Sequence, residues 1–373
     1  MNPLEFHEKY KGKLSVNSKV PLKDMKDLSI AYTPGVAEPC KEINKDISKV
    51  YKYTIKQNSV AVVSDGSAVL GLGNIGAEAA LPVMEGKCVL FKEFANIDAF
   101  PICIKSQDPD EIINIVKNIS PVFGGINLED ISSPRCFEIE RRLKKELDIP
   151  VMHDDQHGTA VVVLAGLINA AKVVGKDLKD FRIVINGAGA AGTAVAKLLL
   201  KEGVKDILMV DRVGIISKNG DLTDHKIELA KITNKNNEDG TLKDALRNSD
   251  VFIGLSAPNL LNAGDIRTMN KNPIIFAMAN PVPEIMPDEA KKGGAKIVAT
   301  GRSDFPNQIN NVLAFPGIFR GALDNKVRNI TDEMKLKAAH KLAATVKHPT
   351  EECIIPDVFD KTIVDSIKNV IRD

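Results

Sequence analysis

Two pairs of adjacent carboxylates stand where a sheet would put them to use. Glu129 and Asp130 close the apolar run F-G-G-I-N-L, and Asp154 and Asp155 close I-P-V-M-H, just ahead of a long Ala/Val/Leu-rich helical pattern. Parallel α/β sheets present ligand sites beyond the carboxyl ends of their strands. If both runs are strands joined by a helix over residues 136–147, the four acids meet at one sheet edge. Carboxylates gathered so closely repel each other unless a cation holds them. An all-oxygen ligand set suits Mg²⁺ or Mn²⁺ better than zinc. Taken singly, each pair also reads as a helix cap; the pairing of the two favours a metal.

Gly-x-Gly-x-x-Gly occurs twice. The second copy, Gly187-Ala188-Gly189-Ala190-Ala191-Gly192, follows the run F-R-I-V-I-N and opens the helical pattern T-A-V-A-K-L-L-L. Gly203 then stops that helix, and a further apolar run ends in Asp211. This is the full context of a dinucleotide-binding turn, in which a pyrophosphate meets the free N–H groups of a helix N-terminus. The cofactor expected is NAD or NADP. Asp211 would accept from a ribose 2′-hydroxyl and favour NAD, whereas Arg212 beside it suits a 2′-phosphate. The first copy, Gly71 to Gly76, also follows a strand candidate. Pro82 and Gly86 fall where its crossover helix should run, so it reads as a bend beside the active site or a plain turn.

The elements that must position these residues follow from patterning. Residues 59–64 (S-V-A-V-V-S) read as a buried strand closed by the turn Asp65-Gly66-Ser67. Asp108 caps a helix with Pro109 in its first position and Ile112, Ile115, Val116 and Ile119 at helical spacing. Further strands are expected near 182–185, 207–211, 251–255, 274–278 and 296–300, alternating with helices, which signals a doubly wound parallel sheet. The fold class is α/β. The expected division is an N-terminal α/β substrate and metal domain over 1–156, a Rossmann-type dinucleotide-binding domain over 157–330, and C-terminal helices over 331–373 that pack back on the first domain. Thr331 is the expected cap of the last region. Residues 1–58 read as Lys-rich helices with polar faces, broken by Pro21, Pro34 and Pro39.

Composition narrows the function classes. In 373 residues, 50 basic and 49 acidic side chains nearly cancel, so no nucleic-acid or anionic-membrane field is implied. The N-terminus lacks the apolar core of a signal peptide, and the longest apolar stretch, 160–171, is expected to be too short to span a bilayer. The 5 cysteines are scattered without a C-x-x-C pair, which points to a reducing compartment, the cytoplasm.

Taken together, A-Y-T-P-G-V-A-E-P-C (31–40), D-G-S-A-V-L-G-L-G-N-I-G (65–76), E-G-K-C-V-L-F-K-E-F (85–94), N-L-E-D-I (127–131), H-D-D-Q-H-G-T-A (153–160) and N-Q-I-N-N-V-L-A-F-P-G (307–317) resemble malic enzyme, in its short bacterial and archaeal form. The resemblance implies oxidative decarboxylation of (S)-malate to pyruvate and CO₂ with NAD(P)⁺ and a divalent metal. It implies Tyr32 as general acid, Lys87 as general base and Glu129, Asp130 and Asp155 as metal ligands. Asp154 becomes a partner of Lys87. Asn280, Asn310 and Asn311 would face malate and, for Asn280, the nicotinamide ribose as well; ordinary turn chemistry is the competing reading. A homodimer is implied by the resemblance alone.

The chemistry asks for the same roles. Malate's C2 hydroxyl must lose a proton as hydride leaves, and the enolate formed on decarboxylation must gain one at C3. A metal would polarise the C2 oxygen throughout. To act as base Lys87 must be neutral, so its pKa, ordinarily about 10.4, has to fall at a cost of about 4 kcal/mol. Large animal and plant malic enzymes carry an arginine after D-G-S; here Ala68 stands there, and the asparagines or the backbone N–H groups of 71–76 are expected to hold the substrate instead. His153, His157 and His225 fit a hard-ion site poorly, and the first two read as packing or hydrogen-bonding residues. Two other readings use the same residues: a metal-dependent oxaloacetate decarboxylase, and a catalytically silent nucleotide-binding sensor.

Overall fold

The computed structural model describes residues 2–69, 71–220 and 222–372. Two parallel sheets form its frame. The first contains β1 (Ser59–Ser64), β2 (Asp98–Cys103), β3 (Gly125–Leu128) and β4 (Val151–His153) in the order β2-β1-β3-β4. The second contains β5 (Arg182–Asn186), β6 (Asp206–Val210), β7 (Val251–Gly254), β8 (Ile274–Ala277) and β9 (Ile297–Thr300) in the order β6-β5-β7-β8-β9. Every named pairing is parallel. The chain therefore reverses its winding direction between β1 and β3 and again between β5 and β7. Such switch points open crevices at the carboxyl ends of the strands.

The strands form because their residues are β-branched or apolar and buried on both faces, as parallel strands between helical layers must be. β1, β3 and β4 are buried throughout. β2 is the strand that the apolar pattern does not announce. It lies at the sheet edge, is only half-buried, and contains Pro101, which an edge strand tolerates because one side of its backbone needs no partner.

The helix Ala77–Ala95 corrects one expectation. It runs unbroken through Pro82 and Gly86. Pro82 lies in its second turn, where the missing N–H forfeits one bond to the carbonyl of Glu78 without ending the helix. Proline is therefore no argument against the Gly71–Gly76 loop; its surroundings decide its role.

The helix Asp154–Val174 joins the two sheets. It has 21 residues and is long and apolar enough to cross a membrane by length and composition. The expectation from the 160–171 stretch thus fails on length. Burial decides instead, because 67% of its apolar window is enclosed by the protein. Gly175 in a left-handed conformation ends it. One apolar cluster runs from β1 and β4 across this helix to the inner faces of β5, β6, β7, β8 and β9. Phe91 packs edge-on against Phe315 and Phe319, at 4.7 and 5.3 Å between ring centres, so the helix Phe315–Asp324 lies on the helix Ala77–Ala95. The last helices are anchored through buried Asn169, whose Nδ2 donates to the carbonyls of Ala343 and Ile354, both at 2.9 Å.

Candidate metal and dinucleotide site

Glu129 and Asp130 follow β3, and Asp154 opens the helix that follows β4. Since β3 and β4 are parallel neighbours, their ends bring the acids together as expected. Carboxylate oxygens of Glu129, Asp130 and Asp155 lie within 4.8 Å of one another. Asp130 adopts φ 54°, and its backbone N–H donates to Asp155 Oδ2 at 2.8 Å. Asn127 Nδ2 donates to Glu129 Oε2 at 2.9 Å.

Lys87 projects from the helix Ala77–Ala95 into this cluster and is 7% exposed. Its Nζ lies 2.7 Å from Asp154 Oδ2 and 2.8 Å from Glu129 Oε1, with the Phe315 ring centre 4.2 Å away. Burial works to lower its pKa, but Asp154 and Glu129 outweigh burial and hold it above the ordinary lysine value. This is opposite in direction to what a base requires. The cause is local: two anions within hydrogen-bond reach favour the ammonium.

The acids show the complementary effect. Burial, then the neighbouring Asp155, pushes Asp130 up to about 8. Burial pushes Asp154 up to about 6 against the pull of Lys87, and burial also raises Glu129 well above its usual range. Among the described residues, Asp130 Oδ2 is buried without a hydrogen-bond partner. Clustered, desolvated carboxylates with an oxygen left over are a donor set that fits a hard divalent cation.

Gly158 explains why Asp154 can face Lys87. A Cβ at Gly158 would come within 1.9 Å of Asp154 Oδ1 and 3.1 Å of the Asn311 Cβ. The absence of a side chain there makes room for the carboxylate and places Asn311 next to it. Asn310 spends its side-chain oxygen capping Val312 N–H at 3.0 Å, the turn chemistry that competed with a substrate role. Asn280 lies just beyond β8, and its carbonyl faces the first glycine loop, since a Cβ on Gly71 would approach it to 2.2 Å. That loop thus bends beside the site. Its N–H groups at Leu72, Gly73, Ile75 and Gly76 donate to the carbonyls of Val69 and Gly66, so these four are spent within the loop.

Tyr32 is not brought to the cluster. It follows the helix Met25–Ala31, is 67% exposed, and among the described residues no hydrogen bond joins it to Lys87 or the acids. The α-helices before β1 bury none of their side chains.

In the second sheet, the loop after β5 leads into the helix Ala190–Glu202. A Cβ on Gly192 would lie 1.8 Å from the carbonyl oxygen of Gly187, so the turn closes only with glycine. Asp211 follows β6, and its carboxylate is already engaged. Lys226 Nζ lies 2.5 Å from Oδ2, and Val213 N–H donates to Oδ1 at 2.7 Å. Burial raises its pKa, but Lys226 and these N–H groups bring it below the usual value. Lys226 carried no signal in sequence, because only the fold sets it across from Asp211.

His157 hydrogen-bonds Glu140 at 2.9 Å and Lys335 at 3.1 Å, as a structural histidine would. Burial pushes its pKa down to about 4. His153 is fully buried and packed. His225 Nε2 lies 3.3 Å from the Ala188 carbonyl, away from the acids. A cavity of about 1080 Å³ lies against the helix Ala190–Glu202, lined by Glu140, His157, Thr193, Lys197 and Lys335 among others. It includes none of the clustered acids.

Comparison with known proteins agrees with this arrangement. Residues 11–144 match the malic enzyme N-terminal domain, and residues 156–370 match the malic enzyme NAD-binding domain. The chain is 56% identical over 373 residues to the bifunctional malic/malolactic enzyme of Bacillus subtilis, covering 99% of this chain and 91% of that one. It is 57% identical over 363 residues to the NAD-dependent malic enzyme of Geobacillus stearothermophilus (96% and 76%). It is 49% identical over 363 residues to the NADP-dependent malic enzyme of Halomonas elongata (96% and 85%). The solved NAD-dependent malic enzyme of Thermotoga maritima superimposes with a TM-score of 0.97 at 50% identity, over 100% of this chain and 99% of that one. With both family domains matched in order and the acids, lysine and glycine turn in place, the chain belongs to the malic enzyme family.

Proposed function

We propose that this protein converts (S)-malate to pyruvate and CO₂ while reducing NAD⁺ or NADP⁺, with Mg²⁺ or Mn²⁺ held by Glu129, Asp130 and Asp155. The carrying observation is the buried cluster of those three acids with Lys87 inserted between Glu129 and Asp154. When bound, the cation would polarise the C2 oxygen of malate and the nicotinamide would take up hydride.

The chain's own residues supply the rest. Lys87 takes the proton from the C2 hydroxyl, and Asp154 holds its Nζ in place. Glu129 acting as a metal ligand removes one of the two anions that keep Lys87 charged, which favours the neutral base. Asn280 and Asn311 hold malate and the nicotinamide ribose at the junction of the two sheets, with Asn310 as a further donor through its amide. The N–H groups of residues 187–192 receive the pyrophosphate. Tyr32 returns the proton to C3.

That last role needs Tyr32 enclosed, which a homodimer would do. Leu4, Val16, Met25 and Ile47, all in the segment before β1, are at least 75% exposed, and exposed apolar side chains of this kind suit cover by another chain. A second copy laid over this segment would bury Tyr32. The domain division follows the two sheets, with residues 1–156 for substrate and metal, 157–330 for the dinucleotide, and 331–373 packing back. The free thiols fit a reducing compartment, the cytoplasm.

The test is an assay with (S)-malate and Mn²⁺, comparing NAD⁺ with NADP⁺ by absorbance of the reduced nicotinamide. Pyruvate and lactate are measured alongside, because one relative is named malic/malolactic. Nucleotide reduction matched one-to-one by pyruvate is the expected result. Reduction without pyruvate would mean a simple dehydrogenase, and lactate without net reduction would mean a malolactic reaction.

A further inference from the structure

Glu140 is a buried carboxylate that no step of the reaction uses. It lies on the helix Arg135–Glu146 and is 6% exposed. It meets three donors: the backbone N–H of His153 at 3.1 Å, Nε2 of His157 at 2.9 Å and Nζ of Lys144 at 2.7 Å. His153 and His157 stand on either side of Asp154 and Asp155 in the chain. One carboxylate from a different helix therefore ties down both ends of the acid-bearing turn.

The proton on His157 is assigned by its second neighbour. Lys335 Nζ lies 3.1 Å from Nδ1. An ammonium group only donates, so Nδ1 must accept and the ring hydrogen sits on Nε2, where it donates to Glu140. Lys335 comes from the helix Asp332–Thr345 and is held by Asp332 at 2.7 Å. Asp332 in turn meets Lys201 of the helix Ala190–Glu202 at 2.5 Å.

We propose that Glu140 is a positioning residue for the metal site, fixing the turn that carries Asp154 and Asp155 through His153 and the Lys335-oriented His157. The contact is local. His153 is the N-cap of the helix Asp154–Val174, and its backbone N–H donates to Glu140, so the carboxylate holds the residue from which the acid-bearing turn starts. Groups that hydrogen-bond metal ligands directly typically contribute about 10–100-fold to metal affinity, and Glu140 holds the ligand-bearing turn one step further out, so the lower end of that range is expected. The inference rests on the metal reading above.

The experiment titrates Mn²⁺ into the full-length protein, following free Mn²⁺ by electron paramagnetic resonance. NADH affinity by fluorescence and the unfolding temperature are measured on the same samples. In Glu140→Gln the Kd for Mn²⁺ is expected to rise at least about tenfold, with NADH affinity unchanged. The KM for Mn²⁺ should rise while kcat at saturating Mn²⁺ is retained. Lys335→Met keeps the carboxylate but releases the His157 tautomer, and should weaken Mn²⁺ binding to a smaller extent. A folded Glu140→Gln protein with wild-type Mn²⁺ affinity overturns the proposal, even if its unfolding temperature has dropped. If Glu140→Gln does not fold, Lys335→Met decides: unchanged Mn²⁺ affinity there overturns the proposal. A wild-type protein that binds NADH but no Mn²⁺ overturns the metal reading itself, a distinct result.

Discussion

Lys226 Nζ lies 2.5 Å from Asp211 Oδ2, so the carboxylate after β6 is neutralised before any ribose reaches it. A free carboxylate at this place would bond a 2′-hydroxyl and repel a 2′-phosphate. With Lys226 present, that repulsion would be offset and a cation would stand beside the 2′ position of a nucleotide bound there. Lys226→Ala should lower the ratio of kcat/KM for NADP⁺ over that for NAD⁺ by about tenfold, the worth of one charge-assisted hydrogen bond. Steady-state kinetics with both nucleotides measures it; an unmoved ratio would remove Lys226 from cofactor choice.

Lys87 compensates two buried acids and is also the proposed base. Lys87→Ala should reduce malate oxidation by about 10²–10⁴-fold while leaving NADH binding intact. Removing one partner of a buried ion pair also costs about 3–5 kcal/mol of stability. Denaturant unfolding and nucleotide fluorescence separate the two effects. Wild-type turnover in this variant would sink Lys87 as the base.

Gly158 leaves the space that Asp154 occupies. A methyl group there would fall within 1.9 Å of Asp154 Oδ1, so Gly158→Ala must push the carboxylate away from Lys87. The expected loss of stability is about 1–3 kcal/mol, as for other overpacked sites. The expected loss of malate oxidation is much larger than any change in NADH affinity. Retained activity would show that the Lys87–Asp154 bond is dispensable.

The acid cluster makes stability depend on pH and metal together. Asp130 is pushed up to about 8 and Asp154 to about 6, burial being the first cause of both. A carboxyl that keeps its proton in the fold but sheds it in the unfolded chain loses its stabilising effect as pH rises through the folded value. The metal-free protein should therefore become less stable between about pH 4 and pH 8. Metal binding replaces the Asp130 proton, so protection by Mn²⁺ should grow over the same interval. Thermal unfolding with and without Mn²⁺ at about pH 6 and pH 8 tests this. An equal Mn²⁺ shift at both values would contradict the pKa ordering.

Much of this arrangement is legible in the sequence because the signals are local. β1, the Asp108 cap and the acids at the ends of β3 and β4 depend on short patterns that the surrounding fold reinforces. The glycine turn before the helix Ala190–Glu202 is equally local, since its closure is decided within a few residues. What was illegible is long-range. Glu140 and Lys335 reach His157 from other helices, and Lys226 reaches Asp211 across a loop, with no spacing rule to reveal them. Pro82 misled because a proline early in a helix costs one bond and need not end it. The charge state of Lys87 could not be read either, since it depends on how closely two acids approach its nitrogen.

The apolar cluster that runs through the helix Asp154–Val174 has a thermodynamic consequence. Val60 and Met152 of the first sheet share one continuous interior with Ile183, Ile253 and Phe276 of the second. Melting either sheet alone would strip the joining helix along half of its length and leave the other sheet's inner face in water. The two halves should therefore lose structure in one cooperative step, giving a single calorimetric peak, although chains of this size often unfold in stages.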